Sequence, residues 1–150
     1  MLAQDEGLEL ASISDEFENY YYESIKQTGI ENFDKAILEL EKCAQLQPNN
    51  EVVYFLLGKN YLYQKNYEEA YQNFQKAAEL NPANRWNWVG MYDACYESRD
   101  FVKAIPIVQK LVEFKSEYKE DLTSLYMNTQ QFDKAHDLIN ELNNLSALNK

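Results

Sequence analysis

The sequence predicts an all-α fold of about four stacked helix pairs, and two observations carry that expectation. Four short motifs recur, Phe33-Asp34-Lys35-Ala36, Tyr67-Glu68-Glu69-Ala70, Phe101-Val102-Lys103-Ala104 and Phe132-Asp133-Lys134-Ala135, at spacings of 34, 34 and 31 residues. Pro48 and Pro82 repeat the 34-residue step inside Leu46-Gln47-Pro48-Asn49 and Leu80-Asn81-Pro82-Ala83. A fixed period of this length means repeated supersecondary units, each able to bury its apolar face only against a neighbour.

The second unit, about residues 51–84, shows the pattern most fully: Tyr54-x-x-Leu57-Gly58-x-x-Tyr61, then Ala70-x-x-x-Phe74, Ala77 and Pro82. Residues three and four apart are neighbours on a helix, so Tyr54, Leu57, Gly58 and Tyr61 share one face. Tyr67, Ala70, Phe74, Ala77 and Leu80 form the matching stripe of a second helix. Gly58 and Ala70 are small where two helices must approach closely, and the aromatic rings fill the remaining space. Asn66 is placed as the second helix's N-cap, with Glu69 three residues on to complete a capping box; Asn32 and Asp100 hold the equivalent places. Pro48 and Pro82 disfavour helix in the residue before them and so end the second helix of their units. This signature resembles the tetratricopeptide repeat, a 34-residue helix–turn–helix unit. The resemblance runs over roughly residues 16 to 142. It implies a right-handed α-solenoid of about four repeats whose first helices line a concave groove for peptides or partner helices.

The remaining elements follow in chain order. Residues 1–14 are expected to be disordered or folded onto the groove through Leu8, Leu10 and Ile13, and residues 15–150 to form the repeat domain. In the first unit, about 17–50, Ser24 takes the small slot of Gly58, while Glu23 and Gln27 replace Leu57 and Tyr61. That is the expected look of an end unit with one side in water. The third unit, about 85–115, keeps Trp88, Met91, Cys95 and Ala104 in register but puts Tyr92 in the glycine slot, so a looser or shifted packing is expected. Pro106 lies beyond the first turn of its helix, where the ring opposes the carbonyl of Val102 and bends the helix. The fourth unit, about 116–150, keeps Leu122, Tyr126, Phe132, Ala135 and Ile139, but its linker Lys115-Ser116-Glu117 has lost three residues and the proline. Leu138, Ile139, Leu142, Leu145 and Leu148 follow with no further repeat to cover them, although repeat arrays need a polar outer face at their ends. The expectation is therefore a piece of a longer array, or a homodimer through the C-terminal helix.

Composition excludes several function classes. The formal net charge is −11, with eleven acids against three bases in residues 1–50 and seven against six in the last fifty. Such a chain repels nucleic acid and anionic membranes, and it has no apolar run fit to insert in a bilayer. Cys43 falls in the slot of Ala77 and Cys95 in that of Tyr61, so both read as core residues in helices too distant to be bridged. A single histidine, His136, rules out His-based metal clusters and Ser–His–Asp arrangements, and no glycine-rich phosphate loop or CxxC pair is present. The chain reads as a non-enzyme with no cofactor and no metal. Met1-Leu2-Ala3-Gln4 is too short for a signal peptide, yet it resembles the end of a bacterial export signal. The compartment, cytoplasmic or periplasmic, stays open for a chain expected to be soluble.

The first helices carry the functional signal. Opposite its packing face, the second unit presents Val52, Phe55, Leu56, Lys59, Leu62 and Tyr63. The first unit presents Tyr21, Tyr22 and Ile25 there, and the third Trp86, Val89 and Tyr96. In the fourth the stripe stops, with Glu117, Glu120, Asp121 and Ser124. The candidate binding residues are Tyr21, Tyr22, Phe55, Lys59, Leu62, Tyr63, Trp86, Val89 and Tyr96, with Glu18, Asp93 and Glu97 at the edges. Exposed apolar patches rich in Tyr and Trp mark interaction sites, so the expected partner is a protein or peptide offering an apolar or aromatic segment. The alternative is a structural or self-associating segment of a longer repeat protein, its groove covered by its own chain or a copy. Cochaperone tetratricopeptide domains grip a terminal carboxylate with Lys, Arg and Asn; here those places hold Tyr21, Ile25, Leu56, Trp86 and Gly90, which excludes such a clamp.

Overall fold

A computed structural model of the chain describes residues 2–148, with the side chains of residues 2–6 and 8 outside the description. The described residues form eight helices and no strand: α1 Leu2–Gly29, α2 Phe33–Leu46, α3 Glu51–Tyr63, α4 Tyr67–Leu80, α5 Arg85–Glu97, α6 Phe101–Phe114, α7 Tyr118–Asn128 and α8 Phe132–Leu148. The fold is all-α and of the helical-repeat, solenoid class. Two compact units divide it, Met1–Pro82 with α1 to α4 and Ala83–Lys150 with α5 to α8. Within each unit, consecutive helices pack on one another. No described helix is long and apolar enough to cross a membrane.

In the first unit, Ile37, Leu40 and Cys43 of α2 meet Val53 and Leu57 of α3. Phe17, Tyr20 and Tyr21 of α1 and Tyr54, Leu56 and Tyr61 of α3 close over this cluster half-buried. Ala70, Phe74, Ala77 and Ala78 of α4 are buried as well, as the stripe of small residues and one ring requires. The second unit buries Met91, Ala94 and Cys95 of α5, Ala104, Ile107, Val108 and Leu111 of α6, Leu122, Leu125 and Tyr126 of α7, and Ala135 of α8. Helices α2 and α4 stop two residues before Pro48 and Pro82, the step that the prolines predict. Helix α6 continues through Pro106 to Phe114.

Three expectations need correction. Residues 2–14 are neither loose nor laid over a groove; they continue α1, a single 28-residue helix, and Leu10 is 68% exposed. Leu8 lies outside the described side chains. Nothing in Asp5 through Ser14 breaks a helix, since the one glycine, Gly7, costs only about 1 kcal/mol there. Second, Gln27 does not face water. It is 6% exposed and its Nε2 donates to Glu23 Oε1 at 2.7 Å, while its Oε1 is buried without a partner among the described residues and the Glu23 side chain stays partly exposed. That hydrogen bond holds the Glu23 carboxyl below its ordinary range, aided by the nearby Lys26 and Lys35.

The third correction concerns capping. Asn32 and Asn66 stand at the N-cap positions of α2 and α4, but their side chains make no cap bond. Each first turn is closed by the cap carbonyl alone, which accepts from Ala36 and Ala70 at 3.0 Å. The capping box at Asn66 fails because its N–H is already donated to the Tyr61 carbonyl at 2.9 Å. That bond is part of a Schellman closure repeated after every first helix. Asn32, Asn66, Asp100 and Gln131 donate to the carbonyls five residues back, and the residues before them, Glu31, Lys65, Arg99 and Gln130, hold φ of 61–62°. Asp100 does cap α6, accepting from the Lys103 N–H at 3.2 Å. Side-chain caps also appear where the repeat pattern had not placed them: Asn50 and Asn84 accept from the N–H groups of Val52 and Trp86 at 3.1 Å.

A left-handed conformation costs a non-glycine residue about 1–2 kcal/mol. Lys65→Gly and Arg99→Gly are therefore each expected to stabilise the chain by about 0.5–1 kcal/mol, after the larger entropy of an unfolded glycine is subtracted. Urea unfolding of single and double variants measures this; a drop in midpoint would contradict the left-handed cap.

Both cysteines are buried thiols rather than a disulfide. Burial, with Glu39 nearby, pushes the Cys43 thiol up to about 11. Its unfolded value lies near 9, so above that pH the unfolded chain releases a proton that the folded chain retains. Stability linked to Cys43 is then present below pH 9 and is lost as the pH rises toward 11. Between pH 8 and 10.5 the wild type should lose about 1–2 kcal/mol more than Cys43→Ala, read by urea titration at both pH values. Parallel losses would remove Cys43 from the account.

Candidate functional site

The candidate site lies on the faces of first helices that the packing leaves outward, and each unit carries its own portion. In the first unit, α3 buries Val53, Leu57, Gly58 and Asn60. The opposite side of the same helix, Val52, Phe55, Lys59 and Tyr63, is also apolar apart from one base. Val52 and Tyr63 (48%) reach solvent, as do Tyr22 (66%) and Ile25 on α1. Tyr63 leans on Phe33 of α2 with ring centroids 5.1 Å apart. Tyr21 stacks on Phe17 at 5.9 Å and is the part of the row that belongs to the core; Tyr22 stands edge-on to Tyr21 at 5.9 Å and points outward. Leu62 is half-buried.

Lys59 crosses this row, its Nζ 5.9 Å from the Phe55 ring and 5.8 Å from that of Tyr63. A cation over two ring faces is attracted by their quadrupoles, which ties the row's one base to the aromatic surface.

Phe55 is not wholly part of the outward face. Its ring meets that of buried Phe74 edge-on at 5.7 Å, so it shares the α3–α4 contact. The helical wheel places it opposite Leu57. The wheel cannot show that Gly58, with no side chain, lets Phe74 reach around to that flank.

Asn60 is a residue the spacing argument missed. It is 1% exposed, donates to the Leu56 carbonyl at 2.8 Å and accepts from Thr28 Oγ1 at 3.0 Å. It thereby fastens α1 to α3 behind the row. Its only sequence signal is an asparagine within a largely apolar helix, a position such residues occupy when a buried partner satisfies them.

In the second unit, α5 presents Trp86 (56%) and Tyr96 to solvent, with Val89 half-buried. The Arg85 guanidinium lies 4.7 Å from the Trp86 ring. Tyr96 touches Tyr92 at 5.9 Å and Phe101 at 5.6 Å. Tyr92, in the glycine slot, is half-buried and donates to the Asp121 carboxylate at 3.1 Å, so it reaches α7 instead of admitting a ring from α6. Burial and that carboxylate raise its hydroxyl well above the ordinary tyrosine range. Gly90, placed by the wheel on the outward face, is buried.

Among the described residues, no group of three or more His, Cys, Asp or Glu is arranged to hold a metal ion. His136 is exposed, its Nε2 within 3.1 Å of Asn140 Nδ2. The depression at the α2–α3 turn, about 450 Å³ and lined by Gln47, Pro48, Asn49 and Asn50, has no aromatic or titratable group.

Helix pairs of this length, a glycine admitting a ring from the second helix, and aromatic outward faces on the first helices define a helical-repeat protein. Residues 52–84 match the family model of the tetratricopeptide repeat, and the fold is that of tetratricopeptide proteins. Among solved structures, MamA from Desulfovibrio magneticus RS-1 (41 to end) is similar at TM-score 0.70 and 19% identity, over 87% of this chain and 76% of that one. The first tetratricopeptide domain of Spaghetti (RPAP3), bound to the HSP90 peptide SRMEEVD, is similar at 0.68 and 17%, over 78% and 95%. YrrB, a tetratricopeptide protein with an unusual peptide-binding site, is similar at 0.67 and 19%, over 79% and 63%. No curated protein sequence matches the chain.

Proposed function

We propose that the chain is a non-catalytic protein-interaction scaffold that holds an apolar or aromatic peptide or helix of another protein against its first-helix faces. One observation carries this reading. Helix α3 buries Val53 and Leu57 on one side and leaves Val52, Tyr63 and part of the Phe55 row open on the other. An apolar face that reaches solvent is the usual mark of an interaction surface. The fold is shared with proteins whose structures include a bound peptide or a described peptide-binding site, which supports the same use here. The mode of binding differs from a carboxylate clamp, since Tyr21, Ile25, Leu56, Trp86 and Gly90 supply no cation.

The test is selection of binding peptides from a random display library, followed by amide shift mapping of the selected peptide on the full chain. Enrichment of Phe, Leu, Trp or Tyr, with shifts centred on Tyr22, Val52 and Tyr63, supports the proposal. Shifts confined to α2 or α4 would overturn it.

A second reading, self-association, rests on α8. This helix runs on to Leu148 and exposes Ile139, Leu145 and Leu148, with Leu138 and Leu142 half-buried beside them. Leu142→Lys with Leu145→Lys is expected to abolish concentration-dependent association in sedimentation. A wild type that stays monomeric at high concentration, with a double variant that unfolds, would show that these leucines serve their own unit.

A further inference from the structure

We infer that the aromatic face of the first unit takes a basic amphipathic segment of its partner, an inference that rests on the scaffold reading and adds the sign of the partner's charge. The two units differ sharply in charge. Met1–Pro82 holds fifteen acids against six bases, whereas Ala83–Lys150 holds ten against eight. Helix α1 is the extreme case: from Leu2 to Ile25 it has seven acids and no base.

These charges lie next to the aromatic row. Glu18 is four residues before Tyr22 and Asp15 seven before, so both continue the stripe that Tyr22 and Ile25 occupy. Asp15, Glu16 and Glu18 are exposed and form no ion pair among the described residues. Four of the unit's six bases are engaged: Lys35 lies 3.8 Å from Glu23, Lys42 lies 3.3 Å from Glu39, Lys59 rests on the Phe55 and Tyr63 rings, and Lys76 lies 6.0 Å from the Tyr54 ring.

An apolar segment seated on Tyr22 has Glu18 and Asp15 about one and two helical turns along α1 from it, about 6 and 10 Å of axial rise. At that range the field is only partly screened at ordinary ionic strength, where the Debye length is about 8–10 Å. Acidic flanks would meet like charge, and basic flanks would be attracted and steered. The rings supply most of the affinity and the carboxylates select which apolar segments approach.

The experiment uses two helical probe peptides with the same Leu/Phe face, one with Lys at every polar position and the other with Glu. Each is titrated with the full chain by fluorescence anisotropy at about 0.05 M and about 0.5 M salt. The Lys peptide should bind at least about tenfold tighter at low salt, with the ratio shrinking toward unity at high salt. Tyr22→Ala, folded by circular dichroism, should weaken both peptides. Asp15→Lys with Glu18→Lys should narrow the ratio without weakening the Glu peptide. Equal, salt-insensitive affinities that Tyr22→Ala still reduces would overturn the charge inference and leave the scaffold reading standing. Lys-peptide binding untouched by Tyr22→Ala would show charge adsorption away from the row and also overturn it. Binding of neither peptide at either salt would sink both.

Discussion

Gly58→Leu is expected to lower the stability of the chain by about 3 kcal/mol or more, at or beyond the upper end of ordinary overpacking. A Cβ on residue 58 would lie 2.8 Å from Cδ1 and Cε1 of Phe74 and 2.9 Å from its Cγ. Contact with Cγ leaves the ring no way to swing aside about its own root. Among the described residues Phe74 is the largest fully buried side chain, and its other flank is held by the edge-on Phe55 ring. Even Gly58→Ala should destabilise, and Phe74→Leu in that background should recover part of the loss by removing the ring. Urea midpoints of the two singles and the double give the coupling energy directly. An unchanged midpoint for Gly58→Leu would mean that α3 and α4 do not pack in this register.

Trp86→Ala and Phe55→Ala should have different outcomes. Trp86 lies more than half in solvent beside Arg85, so truncating it should cost under about 0.5 kcal/mol of stability. Loss of affinity for a selected aromatic peptide should nevertheless exceed about tenfold, as for an aromatic hot spot. Phe55→Ala should weaken binding and also cost about 2–4 kcal/mol, because its ring supports Phe74. The helical wheel alone treats the two as equals, both harmless to the core. Several kcal/mol lost on Trp86→Ala would move that residue from the outward face into the core. Unchanged affinity in both variants would remove the aromatic faces from the binding account.

Much of the fold was legible because its signals are local. Small residues at the helix crossing, rings three and four positions away and a proline two residues past α2 and α4 act within one turn or one loop. The outward position of Tyr22, Tyr63, Trp86 and Tyr96 was legible for the same reason, since a helix with one packing face leaves its opposite face open. The end unit was misread. Gln27 was taken as wet because polar side chains usually are, but it is buried, its amide N–H donated to the partly exposed Glu23 carboxylate.

By itself the sequence determined that this is an all-α array of helix pairs, with a tight crossing at Gly58, acid concentrated in its first fifty residues and aromatic rows on its first helices. These follow from periodicity and composition, which need no knowledge of what lies opposite. Only the tertiary structure decided that Phe55 shares the core with Phe74 and that Asn60 is buried to fasten α1 to α3. It also decided that each first helix ends on a left-handed non-glycine residue whose successor's N–H is already committed. Each of these depends on which atom of a distant residue arrives within a few ångströms, and distance along the chain carries no record of that meeting.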